Sequence, residues 1–310
     1  MQAKNSLFFI MFFPFLIVAK PYPIQFSISE TKMIKEIPEK TRDFAFIVPG
    51  KAETFIYDYE EDYFKGYQNS YYAITMKKAG WDCLRHYEIL INGCIPYFID
   101  LDKSPSETMA FLPKDLIREA MNLEGVSYLH IDHSKFNKEK YFEILNKLME
   151  YTRNTLTSKK IAEYVLRTIN YTGSGKILFL SSNIAPDYLR CCTLIGFKEL
   201  FGDRVIDYPK IPHIYKSYPH DLRQLYGKGM SYTKVLEDLP IDRENIEQRI
   251  KNKEFDLIIY GSIHRSLLLY ELVSNYYEPE KIIYLCGEDA HNCGYSNLSN
   301  LFLRESDAAQ

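Results

Sequence analysis

The chain carries almost no net charge: its 310 residues include 38 Lys plus Arg against 41 Asp plus Glu, a formal balance of −3. A dedicated nucleic-acid binder needs a basic footprint, so nucleic acids are excluded as its main partners. Long apolar runs are lacking too. The strongest, from Leu7 to Val18, is interrupted by Pro14 and falls short of the roughly 20 residues that a bilayer helix requires. Only six cysteines are present, and Cys83, Cys94, Cys191, Cys192, Cys286 and Cys293 show no repeated metal-ligand spacing. No two histidines stand at His-x-x-x-His spacing, which speaks against a helical zinc site. A Walker loop, a Gly-x-Gly-x-x-Gly turn and a Gly-x-Ser-x-Gly elbow are all missing, removing the commonest phosphate-loop and hydrolase signatures.

What is present describes a folded protein, with 46% hydrophobic and 25% charged residues. The length suits two domains, each able to bury its own core. Tyrosine is abundant, at 26 residues, and supplies flat faces with a polar tip. Lys4, the apolar stretch after it and the small residue Ala19 read as a signal peptide of residues 1–19. Cleavage there predicts a secretory, periplasmic or secreted protein without a transmembrane span. An uncleaved segment would instead leave the protein cytoplasmic or membrane-associated. Most of the cysteines read as buried thiols, while Cys286 and Cys293 are close enough to pair across a short loop in an oxidising compartment. Asn170 with Thr172 and Asn297 with Ser299 form glycosylation sequons.

From Asp43 onward, short apolar runs alternate with helical patterns. Strands are expected at Phe44 to Val48, Tyr72 to Met76, Ile95 to Phe98 and Val126 to His130, and helices at Asp82 to Asn92, Pro113 to Leu123, Lys140 to Thr152 and Ser158 to Ile169. Thr172-Gly173-Ser174-Gly175 can continue neither element, so a boundary falls between 20–172 and 173–310. The second half repeats the alternation. Its strands are expected at Lys176 to Leu180, Arg204 to Tyr208, Phe255 to Tyr260 and Lys281 to Cys286, with helices at Pro186 to Phe201, Asp242 to Lys253 and Leu267 to Tyr276. Continuous apolar strands such as Ile177 to Leu180 imply sheets covered on both faces. The expected fold class is α/β, with two Rossmann-like domains whose parallel sheets face a cleft.

The segment from Lys77 to Phe98 is densest in chemistry. Glu88 lies on the helix face of Leu84 and Asn92, and Gly93 supplies the cap that redirects the chain into Cys94, Ile95 and Pro96. A carboxylate there can accept from two ribose hydroxyls, and Lys77 with Lys78 can neutralise a diphosphate. The plainer alternative pairs Glu88 with Arg85 on a solvated face and leaves the lysines as surface charge.

This segment resembles the donor-binding motif of GT-B glycosyltransferases, and Arg85 to Pro96 is similar to its exostosin-like form. The resemblance implies a nucleotide-sugar donor domain at 20–172. Lys77, Lys78, Arg85, Glu88, Gly93, Cys94, Ile95 and Pro96 would then bind the donor, with Glu88 on the ribose. An acid common in GT-B enzymes is replaced by Gly80, with Asp82 the nearest substitute. Asp100-Leu101-Asp102 looks like a metal-binding Asp-x-Asp, but GT-B enzymes usually need no metal, so none is expected, nor any cofactor beyond the donor. The two halves stand in the order opposite to that of full-length relatives. Leu301 to Glu305 reads like sequence leading into Pro23 to Phe26, as after circular permutation.

In the second half, the loops Ser181-Ser182-Asn183, Gly261-Ser262-Ile263-His264-Arg265 and Gly287-Glu288-Asp289-Ala290-His291 each follow an expected strand and should gather at one sheet edge. His264 is the candidate general base, weighed against a purely structural histidine. Arg265 is expected to offset phosphate charge, Glu288 or Asp289 to orient the acceptor, and Ser182, Asn183 and Ser262 to line the acceptor side. His213, His220 and His291 fall in less defined loops. The expected activity is sugar transfer from a nucleotide-activated donor to a glycan or other hydroxyl acceptor. The alternative is an exported binding protein that kept the cleft without the transfer.

Overall fold

Residues 21–287, 289, 293–295 and 298–305 are described by a computed structural model, in which parallel sheets alternate with helices. The predicted signal segment, Glu288, His291 and Asn297 lie outside the described residues. The first part of the chain comprises β1 (Tyr22–Pro23), β2 (Arg42–Phe44), α1 (Glu60–Gln68), β3 (Ser70–Thr75), α2 (Leu84–Ile91), β4 (Ile95–Phe98) and α3 (Lys114–Met121). There follow β5 (Val126–Ser127), β6 (His130–Ile131), α4 (Lys138–Tyr151) and α5 (Ser158–Thr168). The remainder holds β7 (Lys176–Leu180), α6 (Tyr188–Phe201), β8 (Val205–Tyr208), α7 (Ile246–Lys251), β9 (Phe255–Tyr260), α8 (Tyr270–Tyr276), β10 (Ile282–Cys286) and β11 (Leu301–Leu303).

One parallel sheet has six strands in the order β1-β11-β10-β9-β7-β8, and a second has three, β2-β3-β4. Strand alternation assigns the faces of the larger sheet. Ile177, Phe179, Leu257, Ile259, Ile283, Leu285 and Phe302 point into one core with α6, whereas Leu178, Leu180, Ile258, Tyr260, Ile282 and Tyr284 point into another with Ile246 and Ile250 of α7 and Val273 of α8. Both faces are therefore covered, as the continuous apolar strands required. The first of these cores runs without a break into the smaller sheet, taking in Tyr72, Ile95 and Tyr141.

The boundary at residue 172 separates the sequence more cleanly than it separates the packing. Strand β1 belongs by sequence to the first half, yet it joins the larger sheet by pairing with β11, Tyr22 opposite Phe302. Helix α5 likewise packs on α6, and Gly196 is what permits it: a Cβ there would lie 2.0 Å from the Ser158 carbonyl oxygen. The described ends of the chain thus lie side by side.

Buried tyrosines account for much of the tyrosine content. Tyr71, Tyr72, Phe136 and Tyr141 form an aromatic cluster, with the Tyr71 and Tyr141 ring centroids 5.0 Å apart. The Tyr72 hydroxyl donates to the Ala120 carbonyl at 2.7 Å and that of Tyr141 to the Tyr71 carbonyl at 2.5 Å. Each ring thereby buries its area without stranding its polar tip.

Some expected elements need correction. Val126 to His130 is not one strand but an antiparallel hairpin, Val126 opposite Ile131, turned by Tyr128 and by Leu129 at φ 60°. Helices α7 and α8 begin later than expected, because Asn245 and Leu269 take left-handed backbone just before them. The strand expected from Phe44 lies earlier, at Arg42–Phe44. Among the described residues no helix is long and apolar enough to cross a membrane. Cys286 and Cys293 form a disulfide with a Cα separation of 6.2 Å. Cys94, Cys191 and Cys192 are buried free thiols, and Cys83 is half-buried.

Candidate active site

In the larger sheet the chain passes from β7 to β8 on one side and from β8 back to β9 on the other, so the strand order reverses between β7 and β9. The crevice outside the carboxyl ends of strands at such a reversal is where open α/β sheets bind ligands. A cleft of about 770 Å³ occupies this place. Its walls come from the loop after β3 (Lys78 to Leu84), the segment after β7 (Ala185 to Tyr188), His264 and Arg265 after β9, and Gly287 and Asp289 after β10, with Phe26, Tyr226 and Arg304 completing it.

Asp187 organises the wall at the reversal. One carboxylate oxygen caps α6 by accepting from the Arg190 amide at 3.0 Å. The other lies 3.2 Å from His264 Nε2 and 3.2 Å from Arg265 Nε. Burial alone would raise the Asp187 pKa, but the hydrogen bond from His264 and the charge of Arg190 hold it well below the usual carboxylate range. A carboxylate facing Nε2 fixes the proton there and leaves the lone pair of the neutral ring on Nδ1, a buried atom that has no hydrogen-bond partner among the described residues. His264 is 13% exposed. The general-base candidate thus has an orienting acid in Asp187, a residue expected only at the start of a helix and given no part in the site.

The first half presents Lys78, exposed at the rim, and the start of α2, where the N-cap Cys83 makes no side-chain cap bond. A helix N-terminus and a lysine together favour an anion. Lys77 is exposed beside Trp81, its ammonium 5.2 Å from the ring centroid. Buried His86 fixes this loop. Its Nε2 donates to the Trp81 carbonyl and its Nδ1 accepts from the Thr75 hydroxyl, both at 2.9 Å, and burial lowers its pKa to about 3.

Gly80 stands where a side chain has no room. A Cβ there would lie 2.6 Å from the Glu305 carboxylate and 2.8 Å from that of Asp289. Acids supplied by the far end of the chain therefore crowd the position that the resemblance leaves empty. Both are gripped by fully buried Arg304, which also donates to the Asp82 carbonyl at 2.9 Å and to that of Gly287 at 3.1 Å. Burial raises the Glu305 pKa to about 7. The Asp82 carboxylate is itself engaged within the first half, accepting from the Phe26 amide at 2.6 Å and the Tyr87 hydroxyl at 2.8 Å, while its amide donates to Glu305 at 3.0 Å and so ties the loop to the second half.

The remaining expected donor residues sit deeper. Glu88 is 6% exposed, and its two oxygens accept from the hydroxyls of Tyr63 and Ser231, each at 2.5 Å. Burial raises its pKa, against the pull of those hydroxyls. Arg85 neither pairs with it on a solvated face nor lines the cleft; it is half-buried, 5.8 Å from the Phe55 ring centroid. Gly93 caps α2 at φ 63° as expected, but Gly93, Cys94, Ile95 and Pro96 are all buried, the last two inside β4. Ser182, Asn183 and Ser262 are not among the cleft's lining residues; Asn183 turns its loop by accepting from the Ala185 amide at 3.0 Å. Buried His213 touches the Cys191 thiol at 3.3 Å. Asp102 pairs with Arg118 at 2.6 Å, and among the described residues no group of three His, Cys, Asp or Glu converges as metal ligands.

No protein-family model, no curated protein and no solved structure matches the chain.

Proposed function

We propose that the protein is a GT-B-like glycosyltransferase, transferring a sugar from a nucleotide-activated donor to a hydroxyl of a glycan or similar acceptor. The observation that carries the reading is the Asp187–His264 pair at the strand-order reversal, in a cleft rimmed by Lys78 and Arg265. In this reading residues 20–172 supply the donor side and 173–310 the acceptor side, in permuted order. His264 takes the acceptor's hydroxyl proton on Nδ1, which a small shift of its loop must first uncover, as that oxygen bonds to the anomeric carbon. The bond from that carbon to the phosphate oxygen breaks, and Lys78, Arg265 and the start of α2 offset the charge gathering on the departing diphosphate. Aromatic Phe26, Tyr188 and Tyr226 supply faces for a base or sugar ring.

One observation favours a second reading, in which the cleft binds a nucleotide or glycan without transfer: Glu88 is already satisfied by protein hydroxyls. A melting screen against nucleoside diphosphates and nucleotide sugars tests both. A ligand at 100 times its Kd stabilises the fold by about 2.7 kcal/mol. Stabilisation by nucleotide sugars that is lost in Lys78→Ala and Arg265→Ala supports the cleft. Release of free nucleoside diphosphate then separates enzyme from binder, and no stabilisation by any compound of the panel defeats the transferase and nucleotide-binding readings alike.

A further inference from the structure

Residues 226–234 belong to the second half of the chain but are fastened to the first. Tyr226 is 71% exposed on the cleft wall, its ring centroid 5.3 Å from that of Tyr188. The backbone after it enters the left-handed region at Gly227 (φ 59°), Lys228 (54°), Gly229 (67°), Ser231 (75°) and Lys234 (51°). Three of these residues carry a side chain that disfavours such a conformation, so contacts, and not local preference, hold the segment in this shape. The contacts reach across the halves. Lys228 Nζ donates to the Asp58 carboxylate and the Tyr57 carbonyl, both at 2.7 Å. The Ser231 amide donates to Glu60, and its hydroxyl to Glu88, both at 2.5 Å.

Two hydroxyls, one on each oxygen of a carboxylate, are also what the neighbouring hydroxyls of a ribose would present to Glu88. Leu84, one helical turn before Glu88 on the same face of α2, lines the cleft. With Tyr226 on the cleft wall and Ser231 on the carboxylate, the segment covers the way from one to the other.

We propose that residues 226–231 are a latch that holds the site closed, hinged on the core-buried Tyr232, with Ser231 standing in for a ligand hydroxyl on Glu88. Release extends the cleft past Leu84 and frees one oxygen of Glu88, Oε1, for a ligand hydroxyl, while Tyr63 stays on Oε2. The proposal rests on the reading of the cleft as a nucleotide-sugar site.

Amide hydrogen exchange by mass spectrometry on the full chain, with Ser231→Ala/Lys228→Ala beside wild type, reads the latch without any ligand. Exchange within 226–231 is expected to rise about tenfold while α6 and β9 keep their protection. Calorimetry with UDP, ADP and GDP on the same preparations reads its consequence: an affinity about tenfold higher in the variant for whichever nucleotide binds, because the closed population no longer competes. Unchanged exchange in 226–231 overturns the latch, as does a rise spread over the whole chain, which marks the contacts as general cement. A local rise with weakened nucleotide binding also overturns it. A local rise when neither protein binds any of the three nucleotides supports the latch as a device and removes the nucleotide-sugar reading instead.

Discussion

Replacing Asp187 perturbs the cleft at the residue on which most of its order depends, and the Asn and Ala variants divide its roles. Asparagine keeps an acceptor for the Arg190 amide and is an N-cap as good as aspartate, so Asp187→Asn loses only the charge. What it gives up is the charge-assisted interaction with His264, 13% exposed, and with Arg265, 36% exposed and correspondingly screened by solvent. About 1–2 kcal/mol is expected, nearly all of it from the better-buried His264 contact. Asp187→Ala loses the cap as well, about 1 kcal/mol more, for a total of roughly 2–3 kcal/mol. Urea denaturation of the three proteins at pH 7 measures these differences. The pH dependence carries a second check. Because the folded-state pKa of Asp187 is depressed, its contribution is fully present above the unfolded aspartate value, near 4, and is lost as the pH falls through the lower folded value. The stability curves of wild type and Asp187→Asn should therefore converge in acid. Equal stabilities of all three proteins at pH 7, or a gap that persists unchanged below pH 3, would refute the assignment of Asp187 as both cap and charge partner.

Glu305 should act with the opposite sign. Its pKa is raised to about 7 by burial, so between the unfolded glutamate value and pH 7 the folded state holds the extra proton and stability falls as pH rises, by on the order of 3 kcal/mol. Glu305→Gln should flatten that slope in denaturation curves taken from pH 4.5 to 7.5, and an unaltered slope places the titration elsewhere. Two glycines give a contrast in packing. Gly196→Ala drives a methyl into the Ser158 carbonyl and should cost about 3 kcal/mol or more in urea melts, whereas Gly202→Ala meets nothing within 4 Å and should cost about 2 kcal/mol, for a backbone (φ 60°, ψ −125°) that side chains rarely adopt. Similar losses at the two positions would mean that α5 and α6 are not packed through Gly196.

Much of this fold was legible in the sequence because period and length agree within its strands. Ile95–Phe98, Lys176–Leu180 and Phe255–Tyr260 stand where the apolar runs predict them, and the sheet edge at which their loops would meet follows from parallel order alone. Helix starts were less legible, since left-handed residues such as Asn245 and Leu269 carry no sign in a periodic pattern. Within the site, His264, Arg265, Asp289 and Lys78 could be picked out because each follows a strand. Asp187 could not be assigned its role so easily, although an acid just before a long apolar helix is a legible cap, because its partners lie 77 and 78 positions away. The same limit hid Ser231 from Glu88 and Glu305 from Gly80: each meeting is made by the tertiary fold, across separations that local spacing does not encode.

Turnover of His264→Ala decides whether the Asp187–His264 pair moves a proton in a nucleotide-sugar cleft. Donor affinity by calorimetry and release of nucleoside diphosphate should be measured on one folded preparation each of wild type and variant. Turnover should fall by roughly 10²- to 10⁴-fold with donor affinity nearly unchanged, because the histidine acts only as the proton is transferred. A well-folded His264→Ala protein with wild-type turnover would contradict that role, as would a wild-type protein that binds no nucleotide sugar and releases no nucleotide.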